Sequence, residues 1–239
     1  MIRLSPRLKK IADRINPGET MADIGTDHGF LPIYLWENEI SPKVIMADIS
    51  KGSLAKAEEN CRSLHPDIEF DLRLGSGIEV LDKGEVDAVV MAGMGGILMT
   101  EILAEDIEKS RSFSKLVLQP RKDIGKLRFW LFDNGFRITD EALVREGKYI
   151  CEILTAVPLE IAITRQMNAD DIEYEFPHSL IDYNDELLTE YLTVKKKLEY
   201  EILCNMRKGK YTTAKEIRRQ TYRVEYLEYL LRRAENENR

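Results

Sequence analysis

Met21-Ala22-Asp23-Ile24-Gly25-Thr26-Asp27-His28-Gly29 decides the fold. The apolar run 21–25 reads as a buried strand, Gly25 and Gly29 bracket a tight turn, and a helical pattern begins near Leu31. Strand, glycine-bearing turn and helix start, in that order, form the unit that receives a nucleotide-type cofactor. The two glycines are expected to let the backbone pass close to a ligand, where a side chain would collide. The dinucleotide fingerprint wants a further glycine at position 27, and this chain has Asp27. A carboxylate there repels a pyrophosphate and attracts a sulfonium or amino group. Position 27 therefore favours S-adenosyl-L-methionine over a dinucleotide.

Outward from this unit, apolar runs alternate with helical patterns. Strands are expected at 44–48, 68–72, 86–92 and 116–119, with helices opening near Ser53, Gly96 and Asp123. Upstream, Ser5-Pro6 offers an N-cap and a first-turn proline to a short helix. Near-continuous apolar strands separated by helices mean a parallel sheet covered on both faces. Two further runs, 136–144 and 149–157, are joined by Glu146-Gly147, too short a link for parallel neighbours, so they form an antiparallel hairpin. The expected fold is α/β: a doubly wound, mostly parallel seven-stranded sheet of the methyltransferase kind.

Past 161–178, where Asp170-Asp171 and Pro177 interrupt the pattern, the chain reads as helical. Leu187, Tyr191, Val194, Leu198 and Ile202 form one stripe, and Ile217, Thr221, Val224, Leu227, Leu231 and Ala234 a second. Separated by Lys208-Gly209-Lys210, they predict an antiparallel, coiled-coil-like helical hairpin, each arm about 25 residues and roughly 38 Å long. Residues 1–160 are thus expected to be the cofactor-binding domain and 161–239 the hairpin domain.

The remaining site residues fall at strand ends, the rim where open α/β sheets bind ligands. Asp48, followed by Ile49, lies about twenty residues beyond the first turn, where an acid accepts ribose hydroxyls. Asp23, with Thr26 beside it in the turn, is expected to anchor the loop or a methionine amino group. Gly75-Ser76-Gly77 would flank an adenine ring. Ala92-Gly93-Met94-Gly95-Gly96 leaves bare backbone for cofactor (Ala92, Gly93, Met94) and for a flat substrate (Gly95, Gly96), and Gln119-Pro120 ends the fifth strand on the same rim. The plain alternative is that these acids and glycines only form turns.

Net charge is −7, which argues against a uniform nucleic-acid coat, but ten basic residues lie between Lys195 and Arg223. Arg3, Arg7, Lys9, Lys10 and Arg14 crowd the first fourteen positions. Localised basic segments on an acidic protein suit a polyanion contact, with a solvated helix surface as the alternative. Cys61, Cys151 and Cys204 match no zinc or disulfide spacing, so a cytoplasmic protein without metal is expected. No apolar run approaches the roughly 18 residues of a membrane span, and MIRLSPRLKK has no secretory core.

Together, Asp-Ile-Gly-Thr-Asp-His-Gly-Phe-Leu-Pro (23–32), Ala-Gly-Met-Gly-Gly (92–96) and Leu-Gln-Pro (118–120) resemble the bacterial tRNA adenine-N1 methyltransferases acting on position 22. The resemblance covers residues 1 to about 158 well, and the tail in architecture more than sequence. It implies S-adenosyl-L-methionine as cofactor, tRNA as substrate, and Asp27 near the reacting base. Two departures stand out: Ser76, where the family often has an acid or amide, and Arg121, where an asparagine often follows Gln-Pro.

A ring nitrogen is already nucleophilic, so transfer to it needs positioning more than a base, and the absence of an Asp/Asn-Pro-Pro-aromatic motif suits such a target. Asp27 is expected to accept a hydrogen bond from the adenine amino group. His28 is read as a backbone-bonding loop residue before a proton shuttle. Arg7, with Arg207, Lys208, Lys210, Arg218 and Arg219 of the hairpin, is expected to hold the tRNA backbone. Rival readings are a methyltransferase of a small molecule or protein, a non-catalytic RNA-binding protein and, third, a dehydrogenase. Oligomeric state is left open.

Overall fold

The computed structural model describes residues 2–160, 171–182, 185–209 and 211–237. The chain forms two compact units, 1–170 and 171–239.

The first unit begins with α1 (Pro6–Ala12), capped by Ser5, whose hydroxyl accepts the Leu8 N–H. A sheet of β1 (Met21–Ile24), β2 (Val44–Asp48), β3 (Asp71–Leu74), β4 (Ala88–Met94), β5 (Lys115–Pro120), β6 (Phe136–Glu146) and β7 (Tyr149–Pro158) follows. Its order is β3-β2-β1-β4-β5-β7-β6. The first five strands are parallel, while β7 runs antiparallel to both β5 and β6. This is the seven-stranded arrangement expected from the alternation and the closing hairpin. The helices α2 (Phe30–Glu37), α3 (Lys51–Leu64), α4 (Gly96–Glu105), α5 (Ile107–Ser110) and α6 (Ile124–Asp133) connect the strands. Apolar side chains form two cores, one including Ile24, Ile45, Val89 and Leu118, the other Met21, Met46, Val90 and Val117. Strand alternation accounts for the division, since successive side chains point to opposite faces.

Two strands sit later than the sequence suggests. β3 begins at Asp71, not near Ile68, because α3 is capped by His65 and Ile68 turns back to donate to the His65 carbonyl (3.1 Å). Ile68 stays exposed, and Phe70 packs edge-on against Trp36 at 5.2 Å. β4 begins at Ala88, because Asp87 is taken by a reciprocal lock with Thr20. The Asp87 carboxylate accepts both the N–H and the hydroxyl of Thr20 (2.9 and 2.7 Å), and the Asp87 N–H donates to that hydroxyl (2.9 Å). These bonds hold the Asp87 carboxyl below its usual range. The β6–β7 hairpin is tied to α6 by buried Arg128, which bonds Glu141 at 2.8 Å and Glu152 at 3.2 Å. Removing one member of such a buried set costs about 3–5 kcal/mol, because a charge is left unpaired.

The second unit contains α7 (Ile172–Glu175), α8 (Ser179–Asp182), α9 (Leu188–Lys208) and α10 (Ala214–Glu237). The hairpin is present, with arms of 21 and 24 residues. Its seam differs from the expected stripe: Val194, Leu198 and Ile202 are about half exposed, whereas Leu188, Leu192 and Leu203 are buried. The true seam lies one residue further on and passes through a polar position, Glu199. Gln220 donates to the Glu199 carbonyl (2.9 Å) and carboxylate (2.6 Å), and Arg223 bonds both carboxylate oxygens (2.9 and 2.6 Å). Burial alone would raise the Glu199 carboxyl, but these bonds hold it below its usual range.

Candidate active site

The turn after β1 is fastened to β2: the N–H groups of Gly25 and Thr26 both donate to the Ala47 carbonyl, at 2.8 and 3.0 Å. Gly25 has φ +83° and Gly29 φ +69°, conformations that favour glycine. Their missing Cβ atoms face the protein itself. A Cβ on Gly25 would meet Met94 Cε at 2.8 Å, and one on Gly29 would meet Met46 Sδ at 2.8 Å. These glycines thus pack the turn against β4 and β2. The same holds for Gly75 and Gly77, whose Cβ atoms would strike Val80 and Ile102.

Gly93 is different. With φ +80°, a Cβ there would touch nothing closer than Arg121 Nε at 3.9 Å and Arg7 Nη1 at 4.0 Å. Gly95 and Gly96 follow, and Gly96 lets the chain pass the Asp123 carbonyl, 2.6 Å from where its Cβ would be. Buried Gln119 accepts a hydrogen bond from Arg7 Nη1 at 3.0 Å, which brings α1 to the end of β5. Arg7 is held further by Glu146, 3.7 Å from its Nε.

Asp23 is buried in β1. Loss of solvent pushes its carboxyl up to about 6, against the pull of the Thr26 hydroxyl and the Arg7 charge. A buried carboxyl so placed suits an ammonium partner. At the end of β2, one Asp48 oxygen accepts the Ser50 N–H (2.7 Å) and the other has no hydrogen-bond partner among the described residues. Asp48 is therefore a turn former with a spare acceptor. Ile49 beside it is 73% exposed, an apolar surface such as a flat ring would cover. The Gly75 N–H donates to the Asp48 carbonyl (3.2 Å), which stitches the Gly75-Ser76-Gly77 loop to the same rim, and the Ser76 N–H is held by Glu79. An open Gly93, a spare Asp48 oxygen, exposed Ile49 and buried Asp23 fit a cofactor with a ribose, a flat base and an amino-acid end.

Asp27 is exposed but engaged on both oxygens, by Lys56 Nζ at 2.9 Å and His28 Nε2 at 3.2 Å. The Lys56 bond is the main cause of its lowered carboxyl pKa. Each carboxylate oxygen has a second lone pair, so an incoming amino group would share Asp27 with Lys56 and His28 or displace one of them. His28 stacks on Phe30, centroids 5.3 Å apart.

In the second unit, Arg207, Lys208, Arg218 and Arg219 are exposed around the hairpin tip, and Lys210 lies outside the described residues. Two other members of the basic run are committed internally. Arg223 bonds Glu199 and Glu175 (2.6 Å each), and Lys195 lies over the Tyr191 and Phe176 rings at 5.1 and 5.7 Å. Sequence reasoning also passed over Lys56 and read Glu146 only as a hairpin link; their roles are recognisable only from the residues they hold. Among the described residues no group of three or more His, Cys, Asp or Glu could hold a metal, and no helix is long and apolar enough to cross a membrane.

Residues 4–154 match the model of a methyltransferase domain family. The tRNA (adenine(22)-N(1))-methyltransferase of Bacillus subtilis is 35% identical over 155 residues, 65% of either chain, so the matched segment spans just under two thirds of that relative. The crystal structure of the B. subtilis m1A22 tRNA methyltransferase superposes with a TM-score of 0.81 at 26% identity, covering 97% of this chain and 100% of that one. A Streptococcus pneumoniae protein solved in complex with S-adenosyl-L-methionine shares the fold, with a TM-score of 0.82 at 23% identity over 96% of this chain and 100% of its own.

Proposed function

The chain belongs to the methyltransferase domain family, and from that premise we propose that it transfers a methyl group from S-adenosyl-L-methionine to N1 of adenine 22 in tRNA, in the cytoplasm. The observation that carries this reading is the convergence of Asp23, Asp48, the Gly93 opening and Asp27 along the ends of neighbouring strands and the turn after β1. The likeness to the B. subtilis enzyme over the motif-bearing domain supports the substrate.

Residues 1–160 form the catalytic domain and 161–239 the helical one. Asp23 receives the ammonium of the amino-acid end, Thr26 supports it, and Asp48 accepts from the ribose. Ile49, Ser76 and the loop from Gly75 to Gly77 flank the adenine, while Ala92, Gly93 and Met94 border the reactive end. When bound, the cofactor supplies a methyl group on a positively charged sulfur. The target adenine must be unpaired or flipped out for N1 to be reached. Gly95, Gly96 and Gln119 offer it a surface of backbone and amide. Asp27 accepts from its exocyclic amino group, which becomes more acidic as N1 gains charge, so the carboxylate stabilises the transition state more than the ground state. Arg207, Lys208, Lys210, Arg218 and Arg219 hold the tRNA backbone.

The test is methyl transfer from labelled S-adenosyl-L-methionine to unmodified tRNA, followed by nucleoside analysis. One-methyladenosine mapped to position 22 is expected. Unlabelled tRNA with cofactor binding intact would redirect the substrate search to small molecules and proteins.

A further inference from the structure

We propose that Arg121 and Lys122 grip a backbone phosphate of the nucleotide carrying the target adenine, so that the flipped-out nucleotide is fixed by its anionic side. The inference rests on the tRNA reading above and adds two residues that the rim motifs leave out.

Arg121 and Lys122 follow directly on β5, and their main chain is bonded to the end of β4. The Arg121 N–H donates to the Met94 carbonyl at 2.8 Å, and the Lys122 carbonyl accepts the Gly96 N–H at 2.9 Å. Asp123, at φ +57°, then turns the chain into α6. The two side chains therefore spring from a braced loop pair. Both reach over the bare backbone of the rim: Arg121 Nη2 and Arg7 Nη1 each lie 4.0 Å from where a Gly93 Cβ would stand, and Lys122 Cε lies 3.3 Å from the matching point on Gly95.

Three cations thus surround one strip of glycine backbone. Arg7 has its own partners, Glu146 and Gln119. Arg121 and Lys122 are exposed, and neither makes an ion pair with a described carboxylate. Glu146 is matched to Arg7, so Arg121 and Lys122 carry the positive charge left over at this rim, and such unmatched charge makes a site for an anion. A guanidinium beside an ammonium suits a phosphodiester, the first as a planar fork and the second as a point charge. The adenine lies at the methyl-transfer rim in the reading above, and its own phosphate is the anion that must come with it. Gly93 keeps the approach open, since a side chain there would fill the space between the two guanidinium groups.

The experiment uses the full chain with Arg121→Gln and Lys122→Gln, singly and together, and Arg121→Lys as the conservative control. The readouts are KM for tRNA, the salt dependence of tRNA binding, and S-adenosyl-L-methionine affinity by calorimetry. The double variant is expected to raise KM roughly tenfold. Its plot of log affinity against log salt should be shallower by about 0.7 for each single-strand phosphate that is no longer neutralised. Cofactor affinity should be unchanged, which also shows that the variant is folded, and Arg121→Lys should restore most of the slope. An unchanged KM and slope, in a protein whose wild type methylates tRNA, would overturn the clamp and leave the function standing. Weakened cofactor binding with an unchanged slope would overturn it too, assigning the guanidinium to the cofactor's carboxylate. A wild type that cannot methylate tRNA would remove both readings together.

Discussion

The strand-end rim and the helical hairpin both collect basic residues, yet they treat them in opposite ways. At the rim the chain is pinned by main-chain bonds, such as Arg121 N–H to Met94 carbonyl, and Arg121 and Lys122 are left without carboxylate partners among the described residues. In the hairpin Arg223, the last member of the densest basic run, is absorbed by Glu199 and Glu175, and Lys195, the first, by two aromatic rings. Counting charges along the sequence ranks the hairpin first. The structure shows that availability depends on what the neighbouring helix supplies, because an internal partner and a phosphate compete for the same guanidinium.

Substitutions can break this comparison or sharpen it. The largest effect is expected from Asp27→Asn, which keeps the shape and removes the charge. Turnover should fall by about 10²–10³-fold, the usual loss for a preorganised transition-state hydrogen bond, with cofactor affinity unchanged in calorimetry. Full turnover would remove Asp27 from the chemistry and leave it as the anchor of Lys56 and His28. Arg223→Ala should destabilise the hairpin unit by about 3 kcal/mol, measured by denaturant unfolding, since it strands Glu199. A rise in KM for tRNA without loss of stability would instead make Arg223 an RNA-binding residue and erase the contrast drawn above.

Asp23→Asn probes the rim through pH. The folded-state carboxyl is pushed up to about 6 from 3.8, so the contribution of this one group to stability is fully present below the unfolded value and is lost as pH rises through the folded one. Asparagine does not titrate. The variant should be more stable than wild type at pH 8 by about 2–3 kcal/mol, lose that advantage by about pH 4, and bind cofactor poorly throughout. A pH-independent difference in thermal unfolding would show that Asp23 is not strained by ionisation. The smallest effect per residue is expected at the tip. Neutralising Arg207, Lys208, Arg218 and Arg219 together should raise KM about tenfold and flatten the salt slope by up to about 0.9 per duplex phosphate released, with no change in cofactor binding.

The sequence carried the sheet and its rim because those features depend on local rules. Apolar runs of strand length, glycines at turns and acids at strand ends each leave a mark within a few residues, and Asp23, Asp48 and Gly93 stand where those marks put them. The hairpin seam was not legible in the same way. Glu199 occupies a seam position because Gln220 and Arg223 satisfy it, and hydrophobic periodicity cannot register a polar core residue whose partners lie more than twenty positions away. The stripe through Val194, Leu198 and Ile202 is the more apolar one and still faces outward. The roles of Lys56 and Glu146 escaped notice for a related reason: each acquires meaning from one long-range partner.

The bulge in β6 carries a consequence of another kind. The strand is the outermost of the sheet, eleven residues long, and its pairing with β7 slips between Ile138 and Asp140. A long flat edge of unpaired peptide groups invites strands from other molecules, and irregular register and charge discourage them. Here Arg137, Asp140 and Arg145 stud the strand, with Asp140 held to Arg14 at 2.9 Å. At the opposite margin, β3 offers only four residues, among them Arg73 tied to Asp71 and Glu85. The sheet is thus guarded at one border by interruption and at the other by brevity, which keeps a strongly apolar interior from growing into an aggregate.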